Sequence, residues 1–166
     1  MTAPLETQVG ATQYEVDFVS WVEQQAALLK EGRLSELDVT NLMEEVEELG
    51  RSEKRALRSQ LIRVIKHLLK LNYQPNAFYY LNSWRSSIAE GRTQLKLILQ
   101  DSPSLKPYLA QVLADCYQDA VTEAVTETGL IKRTFPQECP YSQEEVLDPM
   151  FLPVDGTFNE LTVEDR

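Results

Sequence analysis

Residues 57–71 read LRSQLIRVIKHLLKL, and this stretch decides the fold class. Its apolar residues recur at alternating intervals of four and three positions, at Leu57, Leu61, Val64, Leu68 and Leu71. This period places them on one face of an α-helix, whereas a half-buried strand would show apolar and polar residues in strict alternation. The stretch therefore predicts an amphipathic helix.

The same stripe extends upstream. Leu42, Val46 and Leu49 nearly continue it, and Asp38 is a favoured N-cap residue ahead of them. Gly50 interrupts the pattern, since glycine in a helix interior costs about 1 kcal/mol relative to alanine. Either one helix continues through Gly50 with a kink, or Ser52 caps a second helix. We favour a kinked, near-continuous helix over residues 38–73.

Helical periodicity also predicts helices at about 14–31, 82–100 and 103–128. Gly32 and Gly129 follow the first and last of these, where left-handed caps are common. Ser102 and Pro103 have the character of an N-cap and a first helical residue. In the first helix, Val19, Val22, Ala26 and Leu29 share one face, and Phe18, Trp21 and Leu28 widen it into a broader apolar arc than a five-helix bundle needs to cover internally.

A proline-punctuated segment follows, with Phe135-Pro136, Cys139-Pro140, Asp148-Pro149 and Leu152-Pro153. Ser142 and Glu145 form the pattern of a capping box for a short helix at 142–147. Phe151 and Leu152 are expected to anchor this segment. We predict an all-α fold: a bundle of about five helices with an extended, proline-punctuated C-terminal tail. The bundle with its packed tail should span 14–153, between a flexible 1–13 and a disordered acidic 154–166.

Composition limits the class of protein. The net charge is −10, and residues 134–166 contribute −7 of it, which argues weakly against nucleic acid as a partner. No run of 18 apolar residues is present to cross a membrane, and the N-terminus lacks the features of a signal peptide. Cys116 and Cys139 are too few for a disulfide framework. These features predict a cytoplasmic protein without membrane contact.

Several short strings occur in a characteristic order: YEVDF at 14–18, NLMEEVEELG at 41–50, HLLK at 67–70, YQP at 73–75, SWR at 83–85 and DSPSL at 101–105. Together they resemble the helical family known as domain of unknown function family 29, common in cyanobacteria and other bacteria. The resemblance covers about 14–153. It implies an α-helical bundle, and it carries no assigned catalytic residues.

The acidic run at 44–48 suggests a metal site. Glu44 and Glu48 lie four residues apart on one helical face, where like charges repel and a bound cation would remove the repulsion. His67, the only histidine, flanks the next part of the stripe. No Glu-x-x-His pair accompanies them, so a solvated acidic face is the favoured interpretation and a metal bound by Glu44, Glu48 and His67 is the weaker one.

A second candidate is a cluster of polar residues expected near inward-facing helix positions. Its members are Asp17, Glu45, His67, Arg85 and Arg92. An arginine beside apolar neighbours usually extends its charge to water or pairs with a carboxylate, and Glu45 and Asp17 are the candidate partners. Structural pairing is therefore favoured over an anion site.

Basic residues concentrate just after the acidic run. Possible phosphate contacts are Arg51, Arg55, Arg58, Arg63, Lys66 and Lys70. Phosphate contacts need no sequence signature, but a solvated or internally paired face accounts for the same pattern and is favoured.

No phosphate-binding glycine loop, nucleophile elbow, CxxC or HExxH motif is present. We therefore predict no cofactor, and a protein that acts through protein–protein contacts, as a homodimer or with another protein. A metal-assisted hydrolase or transferase is one alternative, and a nucleic-acid phosphate binder through 51–70 is the other.

Overall fold

Residues 12–75 and 77–153 are described by a computed structural model, and within them the chain is helical and has no strand. The helices are α1 (Gln13–Val16), α2 (Phe18–Glu31), α3 (Val39–Tyr73), α4 (Leu81–Asp101), α5 (Leu105–Thr128) and α6 (Gln143–Leu147). Short 3₁₀ turns occupy Leu34–Glu36, Ala77–Tyr80 and Lys132–Thr134. The predicted all-α bundle is thus confirmed. The predictions for 154–166, and for all but the end of 1–13, lie outside the described residues.

The chain divides into two compact units, which we call unit 1, up to Arg51, and unit 2, from Ser52 onward. Unit 1 contains α1, α2 and the first part of α3. Unit 2 contains the rest of α3, then α4, α5, α6 and the tail, defined as residues 130–153. None of the helices in the described part of the chain is both long enough and apolar enough to cross a membrane.

In unit 1, the predicted single helix from Tyr14 to Glu31 is broken at Asp17. This residue leaves the helical conformation, and its Oδ1 accepts a hydrogen bond from the Ser20 backbone N–H at 3.0 Å. An aspartate that caps a new helix satisfies a backbone donor that would otherwise lack a partner. Gly32 closes α2 with a left-handed φ of 72°, as predicted.

The start of α3 follows the prediction. Asp38 accepts a hydrogen bond at Oδ1 from the Asn41 backbone N–H at 3.3 Å, and α3 then continues as one helix through Gly50 to Tyr73. Ser52 therefore caps no second helix. A Cβ built on Gly50 would meet nothing within 4 Å, so no neighbouring group requires glycine at this position.

Unit 2 holds the main core, and the apolar stripe predicted from residues 57–71 lies at its centre. Leu57, Leu61, Val64 and Leu68 are fully buried. Gly91 of α4 packs closely on this stripe, since a Cβ at that position would lie 2.7 Å from Cγ2 of Val64. The further buried members from α4 and α5 include Trp84, Ile88, Leu95, Leu109, Val112, Cys116, Tyr117, Ala120, Val121 and Ala124.

The start of α5 differs from the prediction. Ser102 ends α4, because its backbone N–H donates to the Ile98 carbonyl at 2.8 Å. Ser102 is thus the C-cap of α4 rather than the N-cap of α5, and α5 begins only at Leu105, after Ser104. At the other end, Gly129 closes α5 with a φ of 71°.

The tail packs on unit 2 along its length. Phe135, Tyr141 and Val146 are buried in the core, and the expected anchors Phe151 and Leu152 pack beside them, partly exposed. The predicted capping box of α6 is present, with Ser142 and Glu145 each bonding to the other's backbone N–H.

Candidate functional site

The first candidate surface is the hairpin of unit 1, formed by α2 and residues 39–51 of α3. Its inner contacts are few: Trp21, Gln25 and Leu28 are the buried residues of α2. Two hydrogen bonds fix its geometry at Asp38. The Trp21 indole N–H donates to Oδ2 of Asp38 at 3.2 Å, and the Asp38 backbone N–H donates to Oε1 of Gln25 at 2.8 Å.

Most of the apolar side chains of the hairpin lie outside these inner contacts. Eight large ones are 40–69 % exposed, and we call them the apolar face: Phe18, Val19, Val22, Leu29, Val39, Met43, Val46 and Leu49. Val19, Val22 and Leu29 are thus exposed in the described structure, on the broad apolar arc predicted for the first helix. Two paired helices bury one narrow seam, and the residues that fill it here are Trp21 and Leu28.

A groove of about 360 Å³ runs along this face between α2 and α3. Glu45 is the one charged residue among its described lining residues, and Oε1 of Glu45 accepts a 2.6 Å hydrogen bond from the Tyr14 hydroxyl. That hydrogen bond is the main cause that raises the pKa of Tyr14 to about 12. Tyr14 and Phe18 also contact Trp21, with ring centroids 4.8 and 5.8 Å away. The groove is thus apolar, with aromatic residues at one end.

The hairpin is strongly acidic, although few of its charges lie in the groove. Residues 12–51 contain ten acidic and three basic residues, a net charge of −7. Glu47 and Glu48 are paired with Arg51, at 3.3 and 2.9 Å. Both carboxylates are exposed, so these pairs contribute little to stability.

The predicted metal ligands are not brought together. Glu44 and Glu48 belong to unit 1 and His67 to unit 2, and Glu48 precedes His67 by 19 residues in the same helix. Side chains of one helix meet at spacings of three or four residues. Among the described residues, no group of three or more His, Cys, Asp or Glu side chains is arranged to hold a metal ion.

The predicted polar cluster is also divided between the units. Asp17 caps α2, and Glu45 holds Tyr14, both within unit 1. His67 lies in unit 2, where Nδ1 is 2.8 Å from the Arg63 carbonyl oxygen, so Nδ1 carries the proton. Burial lowers the pKa of His67 and keeps the ring neutral near pH 7. Arg85 is exposed on α4.

Arg92 has a different role from the one expected. It is only 6 % exposed, and its guanidinium donates to three backbone carbonyls of the tail. The distances are 2.9 Å to Val146, 2.8 Å to Phe151 and 2.9 Å to Glu145. Arg92 therefore fixes the tail on α4.

The basic stretch is largely paired within the protein. Lys66 donates to Glu123 and Glu127 of α5 at 2.8 and 2.7 Å, and Lys70 donates to Glu127 at 2.8 Å. The other pairs are Arg58 with Asp119, Arg63 with Glu90, and Arg51 with Glu47 and Glu48. A phosphate would compete with these carboxylates, so the pairing gives the phosphate-binding alternative no support.

Residues 13–152 match the model of the family described as domain of unknown function DUF29. The chain belongs to this family. The match confirms the resemblance inferred from the short strings. No curated protein and no solved structure matches the chain.

Two features of this DUF29 chain were missed by sequence reasoning. Asp119, Glu123 and Glu127 recur every four residues on α5 and meet basic residues of α3, so their spacing was a usable signal. The carbonyl contacts of Arg92 left no such signal, because every residue carries a carbonyl.

Proposed function

We propose that this DUF29 chain acts through protein–protein contacts, and that the apolar face of its hairpin binds the same face of a second copy. The observation that carries the proposal is the exposure of eight large apolar side chains on only two helices. Exposed apolar patches of this kind are typical of interaction sites.

The size of the face fits a stable interface. Burying an aliphatic side chain removes roughly 100 Å² from water, so these half-exposed residues leave roughly 400–500 Å² of apolar surface to cover. A standard interface buries about 800 Å² per partner, of which about 65 % is apolar in homodimers. The apolar face therefore supplies about the area that one side of a homodimer needs.

A second copy of the chain presents a surface that matches the apolar face in size and shape. Two hairpins placed face to face make a four-helix arrangement, in which each apolar face covers the other. Symmetric dimers are the commonest oligomers, because one self-complementary surface is sufficient. The net charge of −7 on residues 12–51 of each copy opposes this contact, so its driving force must be apolar burial.

The experiment measures mass in solution by sedimentation at two salt concentrations. We expect a dimer for the unmodified chain at about 10–100 μM, a usual range for moderate affinity. Val46→Glu should make the chain monomeric, because it places a charge at the centre of the apolar face. Leu97→Glu is the matched control, since Leu97 is an exposed apolar residue of unit 2 and should leave the dimer intact.

The effect of salt distinguishes a homodimer from a complex with a basic partner protein. Added salt screens the repulsion between two acidic hairpins and should strengthen the dimer. A complex with a basic helix of another protein would weaken under the same change. A monomer at every concentration and salt level, or equal effects of the two glutamate variants, would exclude the self-association.

We also propose a cytoplasmic location. Both cysteines are free thiols, Cys116 buried and Cys139 half-buried, and burial raises the pKa of Cys116 to about 11. Unpaired thiols are typical of reducing compartments. Cell fractionation should recover the protein in the cytosolic fraction, and its recovery from an oxidising compartment would contradict the assignment.

A further inference from the structure

A cavity of about 600 Å³ lies in unit 2. None of its lining residues belongs to the apolar face. It is bounded by α4, the start of α5 and the tail. The apolar walls are Ala89, Leu99, Pro103, Leu147 and Pro149. This volume is within the usual range for small-molecule sites, which combine apolar walls with a few convergent polar groups.

The polar groups at this cavity are mostly cations. Arg92, Lys96 and Lys106 line it, together with Thr93 and Gln100, and none of the acidic side chains that the structure describes lines it. The Thr93 hydroxyl already donates to the Ala89 carbonyl at 2.9 Å. Lys96 and Lys106 are exposed, and neither forms an ion pair within the described residues.

Arg92 supplies the second, independent observation. Its guanidinium is buried, and its three hydrogen-bond partners are neutral carbonyls rather than a carboxylate. A guanidinium has five N–H donors, so two remain after those three bonds. A buried charge is normally compensated by an opposite charge.

Asp148 compensates the charge of Arg92 only in part. Asp148 acts on Arg92 through space, but its Oδ1 is occupied by the Met150 backbone N–H at 2.8 Å. Asp148 is exposed and does not line the cavity. Asp101, next to Gln100 at the end of α4, is exposed as well.

We propose that this cavity binds a small organic anion, with an anionic carboxylate or phosphate head held by Lys96 and Lys106 beside Arg92. The apolar body of the ligand lies on the walls formed by Leu99, Leu147 and Pro149. The anion supplies the negative charge that the buried guanidinium lacks. Because the tail forms one wall and is fixed by Arg92, the bound anion also holds the tail in place.

The experiment uses isothermal titration of the full chain with four probes. Octanoate and octyl phosphate carry the two possible heads on the same apolar body. Octanol has the body without charge, and inorganic phosphate has a head without the body. We expect one of the two amphiphilic anions to bind at least about tenfold more tightly than octanol and inorganic phosphate, and to bind less tightly in high salt. Which head binds more tightly identifies the ligand as carboxylate or phosphate ester.

Variants test the position of the site without disturbing the packing of Arg92. Lys96→Gln with Lys106→Gln should weaken binding of the favoured probe by about tenfold, because two charge-assisted contacts are lost. The control is Lys30→Gln with Lys132→Gln, which makes the same change in net charge at two exposed lysines outside the cavity. This control should bind the probe as the unmodified chain does.

Three results would overturn the proposal. One is equal affinity for octanol and the two anions, which would indicate apolar binding alone. Another is an equal loss of affinity in the two double variants, which would indicate unspecific attraction by the surface charge. The third is no binding of either amphiphilic anion.

Discussion

The two parts of α3 carry the same pattern in different surroundings. In unit 2, Leu61 and Leu68 are fully buried, whereas in unit 1 Val46 and Leu49 are 66 % and 69 % exposed. The helix is the same, and so is the interval between apolar residues. What differs is the number of elements within each unit: α4, α5 and the tail pack on the stripe in unit 2, whereas unit 1 contains only α1 and α2 beside its part of α3. Periodicity therefore identifies the apolar side of a helix but not the element that covers it.

The test with the largest expected effect replaces one leucine by alanine in each part of α3. Leu61→Ala should lower the free energy of unfolding by about 2–5 kcal/mol, because it leaves a cavity in a closed core. Leu49→Ala removes the same atoms from an exposed position and should cost less than about 0.5 kcal/mol in the monomer. Urea unfolding at low protein concentration measures both. Similar losses would mean that Leu49 is covered in solution even without a second copy.

Arg92→Met tests how unit 2 holds its tail. Loss of three hydrogen bonds from a charged donor should lower the free energy of unfolding by about 2–3 kcal/mol. The loss is not larger because water can hydrogen-bond to the freed carbonyls. Protease cleavage near residues 148–153 should become faster. Arg85→Met is the control on the same helix, because Arg85 is exposed. If Arg92→Met leaves cleavage unchanged, the apolar anchors alone hold the tail.

A pair of glycine substitutions compares packing density in the two units. Gly91→Ala should destabilise the fold by about 1–2 kcal/mol, because its Cβ would meet Cγ2 of the stiff, buried Val64. Gly50→Ala has open space around it and should stabilise by about 0.5–1 kcal/mol through helix propensity. Thermal unfolding gives both values. A destabilising Gly50→Ala would show that unit 1 is packed around this position.

The smallest expected effect is a pH dependence located in unit 2. Burial of Glu127 opposes its ionisation, but hydrogen bonds from Lys66 and Lys70 outweigh this and lower its pKa from 4.5 to about 2. A lowered pKa stabilises the fold above pH 4.5, and this contribution is lost as the pH falls toward 2. Because the carboxylate is 41 % exposed, we expect only about 1 kcal/mol.

The check compares unfolding at several pH values for Glu127→Gln and Glu53→Gln. Glu127→Gln should flatten the acid limb of the stability profile, and the exposed Glu53 should leave it unchanged. Identical profiles for both variants would show that the contacts of Glu127 with the lysines of α3 are too weakly formed to matter.

The sequence predicted the parts of the fold that depend on local chemistry. The cap at Asp38 and the capping box at Ser142 each rest on residues within one helical turn, and the stripe from Leu57 to Leu71 rests on a repeat of three and four residues. Such features are visible without knowledge of distant contacts. The helix break at Asp17 was missed because the helical spacing of apolar residues continues across it. That spacing gave no sign that Asp17 is the N-cap of a new helix.

The candidate sites were less predictable because they depend on partners far along the chain. Lys66 meets Glu127, 61 residues away, and Arg92 meets the Phe151 carbonyl, 59 residues away. The burial of Trp21 rather than Val19 depends on which side of α2 meets α3, and both sides are apolar enough to do so. Long-range pairing and the choice between two apolar sides are set by tertiary structure, not by spacing.

The contact of Arg92 with main-chain oxygens has a consequence for sequence variation. All residue types, proline included, offer the carbonyl that Arg92 needs at positions 145, 146 and 151. The acceptor side of this contact therefore imposes no side-chain identity at those three positions. On the donor side, only arginine presents a planar fork that reaches three oxygens at once. This contact alone therefore tolerates substitution at its three acceptor positions, where Glu145 and Val146 are constrained by the capping box and the core instead, whereas any substitution of Arg92 removes the contact.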